Sequence, residues 1–329
     1  LDKDKNTKST WVAAINNELW AESPYAALEM TTEALNKFPD DTDLLYLKAS
    51  AEENTNNPLQ AFNTIELLLT KDPGNQKAKD YENSLNNKLR KNTIGVRAEV
   101  DVFSEVFDPF EYYTLKYARQ TKYGSMIAKI NYDRRFDENG IQYEIDLYPK
   151  IAKGFYAYVN LGVANSSLFP DVRYGAELYK SLPKSFEASL GFRTLKFSTT
   201  TNIYTGSLGW YTGNDYWTFR TYLTPGDAGL STSGIIGYRK YRKDANNFIG
   251  CSFGIGISPE NNQFFIISQS NSTVILKSQR VRIEYDFSSS NNRNMWGTQF
   301  GITHQEKIFD VGNYFWMYTF TLSWEMNFK

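Results

Sequence analysis

The sequence predicts a chain of two domains and two classes, α followed by all-β. Residues 1–91 read as a helical repeat segment, and residues 92–329 as an antiparallel transmembrane β-barrel. Three observations carry this reading. Up to about residue 91, apolar residues recur at helical spacing, and proline-marked turns return after 34 residues. Beyond Lys91 the apolar period becomes two, the pattern of a strand with one oily and one wet face. No run of 18 or more apolar residues occurs, which excludes a membrane helix but not a barrel, and aromatic residues reach 16%.

In the first segment, Trp11, Ala14, Ile15 and Leu19 share a helical face, as do Leu28, Thr32 and Leu35, and Leu67 to Leu69 continue the pattern. Turn signals fall at Glu22-Ser23-Pro24, Phe38-Pro39-Asp40-Asp41, Asn56-Asn57-Pro58 and Asp72-Pro73-Gly74. Pro24 and Pro58, Pro39 and Pro73, Ala27 and Ala61, and Leu35 and Leu69 are each 34 residues apart. The segment from 8 to 90 therefore resembles about two and a half tetratricopeptide repeats, although their Trp-Leu-Gly-Tyr signature is poorly kept. That resemblance implies a groove for a protein partner; a plain spacer is the bland alternative. The acidic pairs Asp40-Asp41 and Glu52-Glu53 read as solvated charges.

In the second segment, Ile94, Val96, Ala98, Val100 and Val102 alternate with Gly95, Arg97, Glu99 and Asp101. Ile141 to Leu147, Phe155 to Val163, Phe186 to Phe192 and Val281 to Phe287 repeat the pattern. A soluble sandwich would alternate as well. Strands of roughly ten residues and ring clusters near strand ends favour a tilted bilayer crossing. The clusters are Tyr112-Tyr113, Trp210-Tyr211, Tyr216-Trp217 and Tyr314-Phe315-Trp316, read as aromatic girdles. Fourteen strands are expected, starting near 93, 112, 125, 140, 154, 171, 185, 202, 215, 232, 247, 275, 294 and 314; twelve remain if the segments near 202 and 232 are not strands. With the repeats in the periplasm, odd connections should be long (133–140, 166–171, 224–233, 258–273) and even ones short. The connection from Ser258 to Thr273 could fold inward as a plug.

Alternation assigns the polar face to the lumen. Candidate lining residues are Arg97, Glu99, Lys116, Tyr156, Tyr158, Arg173, Tyr179, Arg193, Tyr216, Arg220, Tyr222, Arg282 and Glu284. Rings offer stacking faces to sugars and charges offer hydrogen bonds; a salt-bridge network that merely fills the lumen is the alternative. The last strand, with Tyr318, Phe320, Leu322, Trp324, Met326 and Phe328 on one face, resembles the terminal insertion signal of outer-membrane barrels, with Lys329 as a departure from the aromatic end.

Repeats followed by a compact barrel, a Gly-Val-Arg opening strand (Gly95 to Arg97) and Gly-Tyr-Arg-Lys-Tyr at Gly237 to Tyr241 together resemble the YaiO family of outer-membrane proteins. The resemblance covers the barrel and, more loosely, the repeats. It implies an outer-membrane location with the N-terminal domain in the periplasm. The same repeat-and-barrel architecture serves exopolysaccharide exporters, so export or assembly of a surface glycan is the expected function. Expected partners are outer-membrane lipid, a periplasmic protein bound through residues 8–90, a glycan and the outer-membrane insertion machinery. A scaffold anchoring the repeats within an envelope complex is one alternative, and a lipid-modifying enzyme using His304 is another.

The net charge of −1 gives nucleic acid no electrostatic footing, and one Cys with one His excludes a Cys/His zinc cluster and an internal disulfide. No enzyme activity, cofactor or metal is expected. His304 reads as a rim histidine because no serine motif accompanies it. Cys251 reads as a lipid-facing residue, and Gly254 and Gly256 belong to a strand. Asp133, Asp137 and Glu138 lack calcium-loop spacing.

Overall fold

The computed structural model describes residues 7–105, 107–226, 229–256, 277–307 and 310–329. The chain divides into two compact units between Lys91 and Asn92.

The first unit holds five helices: α1 (Lys8–Trp20), α2 (Pro24–Lys37), α3 (Thr42–Asn54), α4 (Pro58–Lys71) and α5 (Gln76–Leu89). Pro24 and Pro58 begin α2 and α4, where a missing N–H costs nothing, and Lys37 and Lys71 close them against the helix dipole. The Asp41 carboxylate caps α3 by accepting from the N–H groups of Asp43 and Leu44, and Asn75 caps α5 through Ala78. The 34-residue period is written into the core. Trp11 and Leu45, Ile15 and Ala49, Ala27 and Ala61, Thr31 and Ile65, Ala34 and Leu68, Leu44 and Ala78, and Ala51 and Leu85 are all buried. The alanines among them let neighbouring helices approach closely, so each repeat completes the core of the next.

This packing corrects the solvated reading for Glu52 and Glu53, whereas Asp40 is exposed, its side chain at 57%. Glu52 is buried and accepts a 2.7 Å hydrogen bond from the Thr64 hydroxyl. Glu53 accepts one of 2.7 Å from Tyr81 and pairs with Lys88. Glu52 and Glu53 each meet a donor from a later helix because the helices stack.

The second unit is one closed antiparallel barrel in which β14 returns to β1. Its strands are β1 (Asn92–Phe103), β2 (Phe110–Thr121), β3 (Gly124–Arg135), β4 (Glu138–Ala152), β5 (Phe155–Ala164), β6 (Val172–Leu182), β7 (Phe186–Lys196), β8 (Thr200–Thr212), β9 (Asp215–Gly226), β10 (Gly229–Tyr241), β11 (Phe248–Ile255), β12 (Ser278–Ser288), β13 (Asn294–Lys307) and β14 (Asp310–Phe328). Closure leaves no strand edge to satisfy in lipid. The segments near 202 and 232 are strands β8 and β10, so the described residues form a closed barrel of fourteen strands.

Connection lengths depart from the expectation. Residues 133–140 are strand except for a turn at Phe136 and Asp137, whose φ angles of 55° and 58° match a tight hairpin of the primed type. Most of 224–233 is strand too. Ladder bonds continue past the apolar band because each added pair satisfies backbone groups. The even connections 242–247 and 289–293 are accordingly longer than the odd one at 136–137, and the long–short alternation is weak. The segment from Ser258 to Thr273 lies outside the described residues.

The barrel lumen as candidate functional site

Three ion pairs identify the inward face. Arg220 on β9 reaches Glu177 on β6 at 2.8 Å, with β7 and β8 between them. Arg239 on β10 meets Glu284 on β12 at 2.7 Å across β11, and Lys116 on β2 pairs with Glu325 on β14 across β1. Strands that are not neighbours can touch in this way only through the interior. Strand parity then carries the face to the other positions. Arg97, Glu99, Lys116, Tyr156, Tyr158, Arg173, Tyr179, Arg193, Tyr216, Arg220, Tyr222, Arg282 and Glu284 all lie on it. The opposite face is apolar and exposed, with Ile145 at 46%, Leu161 at 51% and Ile283 at 51%.

The inward wall is more charged than those residues suggest. β1 contributes Arg97, Glu99 and Asp101; β2 Lys116; β3 Lys129, Asp133 and Arg135; and β4 Glu144 and Asp146. β6 adds Arg173 and Glu177, β7 Glu187 and Arg193, β9 Arg220 and β10 Arg239. β12 carries Arg280, Arg282, Glu284 and Asp286, and β14 carries Glu325. Among these positions there are as many carboxylates as cations. They are knitted together: Lys129 bridges Glu144 (3.1 Å) and Asp146 (2.6 Å), and Asn160 donates to both carboxylates. Thr321 donates to Glu99, and Arg280 donates to Thr303. Sequence reasoning passed over Lys129, Glu144, Asp146 and Arg239 as candidates, although parity along their strands would have found them.

Aromatic rings mark the two ends of the interior. Where β1 begins and β14 ends, tyrosines pair: Tyr148 with Tyr158 (5.2 Å between centroids), Tyr156 with Tyr179 (4.7 Å, 6° between planes) and Tyr211 with Tyr216 (4.2 Å). At the other end, Phe110, Phe315 and Met317 are buried with Phe103, Phe107 and Phe136 against them. Tyr222 is buried in β9 toward that end. The phenylalanine cluster was also missed, although Phe103 and Phe315 continue the inward parity of Asp101 and Thr319.

Long inward side chains recline on the wall. A Cβ at Gly162 would lie 2.7 Å from Arg173 Cγ, one at Gly209 2.7 Å from the Tyr216 hydroxyl, and one at Gly250 2.5 Å from a Glu284 oxygen. In each case the neighbouring strand offers a glycine where the long side chain lies flat.

The outward face takes the remaining candidates. Tyr318, Phe320, Leu322, Trp324, Met326 and Phe328 of β14 share it, with Trp324 opposite Trp296. Cys251 is exposed on it beside Ile249 and Phe253. An apolar groove of about 420 Å³ there, with Leu115, Ile130, Ile145 and Leu161 in its wall, faces the acyl chains. The ring clusters read as girdles are only half outward. Tyr113, Trp210, Trp217, Tyr314 and Trp316 face out, while Tyr112, Tyr211, Tyr216 and Phe315 face in, because successive strand residues point to opposite faces. The His304 ring stacks on Tyr314 (4.5 Å) and packs against Trp316 (4.6 Å). Asp133 is no loop residue: it sits inside β3 and pairs with Arg135 at 3.1 Å, while Glu138 begins β4 and accepts from Ser167. Among the described residues, no cluster of three His, Cys, Asp or Glu side chains is arranged to hold a metal ion.

Residues 91–261 match the family described as YaiO membrane beta barrel domain. A sequence comparison with curated proteins returns no match. Among solved structures, the chain is similar to a bacterial polysaccharide outer membrane secretin (6% identity, 73% of this chain and 99% of that one, TM-score 0.49). It is also similar to the Acinetobacter baumannii outer membrane protein Omp33 (12% identity, 73% and 98%, TM-score 0.44).

Proposed function

The chain belongs to the YaiO family of membrane β-barrels and is a protein of the bacterial outer membrane, and from that premise we propose that it exports or assembles a surface polysaccharide. The observation that carries this reading is the inner wall. Several of its charges are paired and several of its long side chains lie along the wall over inward glycines, and in this reading a passenger chain runs along the axis between them. A network that served only to fill the lumen would gain from side chains projecting to the axis.

In this reading the helical unit lies in the periplasm and recruits a protein partner in the manner of tetratricopeptide repeats. Tyr25 and Leu59 support it: they occupy equivalent repeat positions and are both exposed, at 73% and 57%. The outward aromatic face of β14 is the surface offered to the insertion machinery. We read the protein as non-enzymatic, since rings on the two neighbouring outward positions of β14 enclose His304 and among the described residues no serine hydroxyl bonds it. Assembly of a larger envelope complex around the exposed repeat positions is the second reading.

The test is sugar analysis of surface and periplasmic fractions from a strain lacking the gene. Loss from the surface with build-up in the periplasm is expected. Unchanged glycan in both fractions overturns export and leaves the envelope-complex reading.

A further inference from the structure

The paired tyrosines at one end of the lumen and the charge balance of the wall answer a narrower question, which class of polymer the barrel takes. We propose that Tyr148, Tyr158, Tyr156, Tyr179, Tyr211 and Tyr216 form a binding track for an uncharged polysaccharide; the proposal deepens the export reading and rests on it.

Two independent observations support it. The first is geometric. The six rings come from β4, β5, β6, β8 and β9, so they follow the curve of the inner wall across neighbouring strands. They are held in place before any ligand arrives: Tyr158 donates to Asp146 at 3.0 Å, and Arg220 donates to the Tyr179 hydroxyl at 3.2 Å. Fixed aromatic rings offer flat apolar area to the C–H face of a sugar ring. Little ordering cost is left for binding.

The second is electrostatic. A polyanion is drawn through a channel by cations in excess of carboxylates. Here the inward positions carry the two in equal number, and Lys129, Arg173, Arg220 and Arg239 already face carboxylates. A polyuronate would have to break those pairs to gain contacts. A neutral hexose polymer needs only stacking faces and hydrogen-bond partners, and this wall supplies both without a net field.

The test uses the full chain in detergent, with calorimetric titration of cellohexaose and maltohexaose as neutral probes and hexaguluronate as the anionic one. We expect a neutral hexasaccharide to bind at least tenfold more tightly than hexaguluronate. Tyr156→Ala with Tyr179→Ala should weaken that binding about tenfold, and the Phe pair at the same positions should restore most of it. Heat-dependent migration on a gel checks that each variant is folded. Tighter binding of hexaguluronate, no binding of any probe, or unchanged binding in the Ala variant would overturn the track. The fractionation experiment fails separately: neutral binding with unchanged glycan distribution keeps the track and removes export, whereas altered distribution without neutral binding does the reverse.

Discussion

Replacing Arg220 by methionine is the sharpest test of the inward network. Arg220 donates to both Glu177 oxygens, at 2.8 and 3.0 Å, and also to Thr205 and Tyr179. The Glu177 side chain is 2% exposed and that of Arg220 21%. Methionine keeps the length of the stem but strands the Glu177 carboxylate, leaving it mainly the Ser189 hydroxyl. Removing one partner of a buried pair costs about 3–5 kcal/mol, most of it the uncompensated charge. Adding Glu177→Gln removes that charge, so the double variant should recover about half of the loss or more. The assay is urea unfolding in lipid vesicles, followed by tryptophan fluorescence. An Arg220→Met loss below about 1 kcal/mol is the value of an exposed pair and would refute the buried network. A double variant no more stable than the single would refute it as well.

Further outcomes follow from other parts of the molecule. Ile283→Arg places a charge on the lipid face and should cost about 2–4 kcal/mol by the same urea assay, whereas Ser252→Arg, facing inward on β11, should cost less. Asp41→Ala removes the two cap bonds of α3 and should lower the stability of the helical unit by about 1 kcal/mol, read from ellipticity at 222 nm. Tyr81→Phe should cost a similar amount at neutral pH, because the Tyr81 hydroxyl bonds Glu53 at 2.7 Å. Burial, and then that bond, pushes the Tyr81 hydroxyl well above its ordinary value of 10.0. Its contribution is therefore complete below pH 10 and is lost as pH rises toward the folded value, so Tyr81→Phe should flatten helix loss in alkali.

The architecture was legible in the sequence because both of its periods are geometric. The 34-residue spacing of Pro24 and Pro58 marks helix starts, and the same spacing relates buried Trp11 to buried Leu45 and buried Ala27 to buried Ala61. Alternation fixed the inward face, since a strand has only two sides. The partners were not legible. Arg220 and Glu177 are 43 residues apart and meet only because the register of three successive hairpins aligns β6 with β9, and Lys129, Glu144 and Asp146 form one network across two strands. Loop lengths misled because polar residues were taken for loop. At Asp133 and Thr224 they face a wet interior, where strand is as stable as loop. Ring doublets misled for a related reason: neighbours such as Trp210 and Tyr211 look like one cluster in sequence and lie on opposite sides of the wall.

One wall of alternating residues separates lipid from a wet lumen, and thiol accessibility in intact outer membranes reads that separation position by position. Cys251, native and outward, sits one residue from Ser252, which faces in. A water-soluble maleimide should leave Cys251 unlabelled until the barrel is unfolded. In a Cys251→Ser background, Ser252→Cys and Arg282→Cys should be labelled, and Ile283→Cys should not. Labelling without a period of two, or protection of both inward positions, would contradict a continuous aqueous lumen and the export path with it.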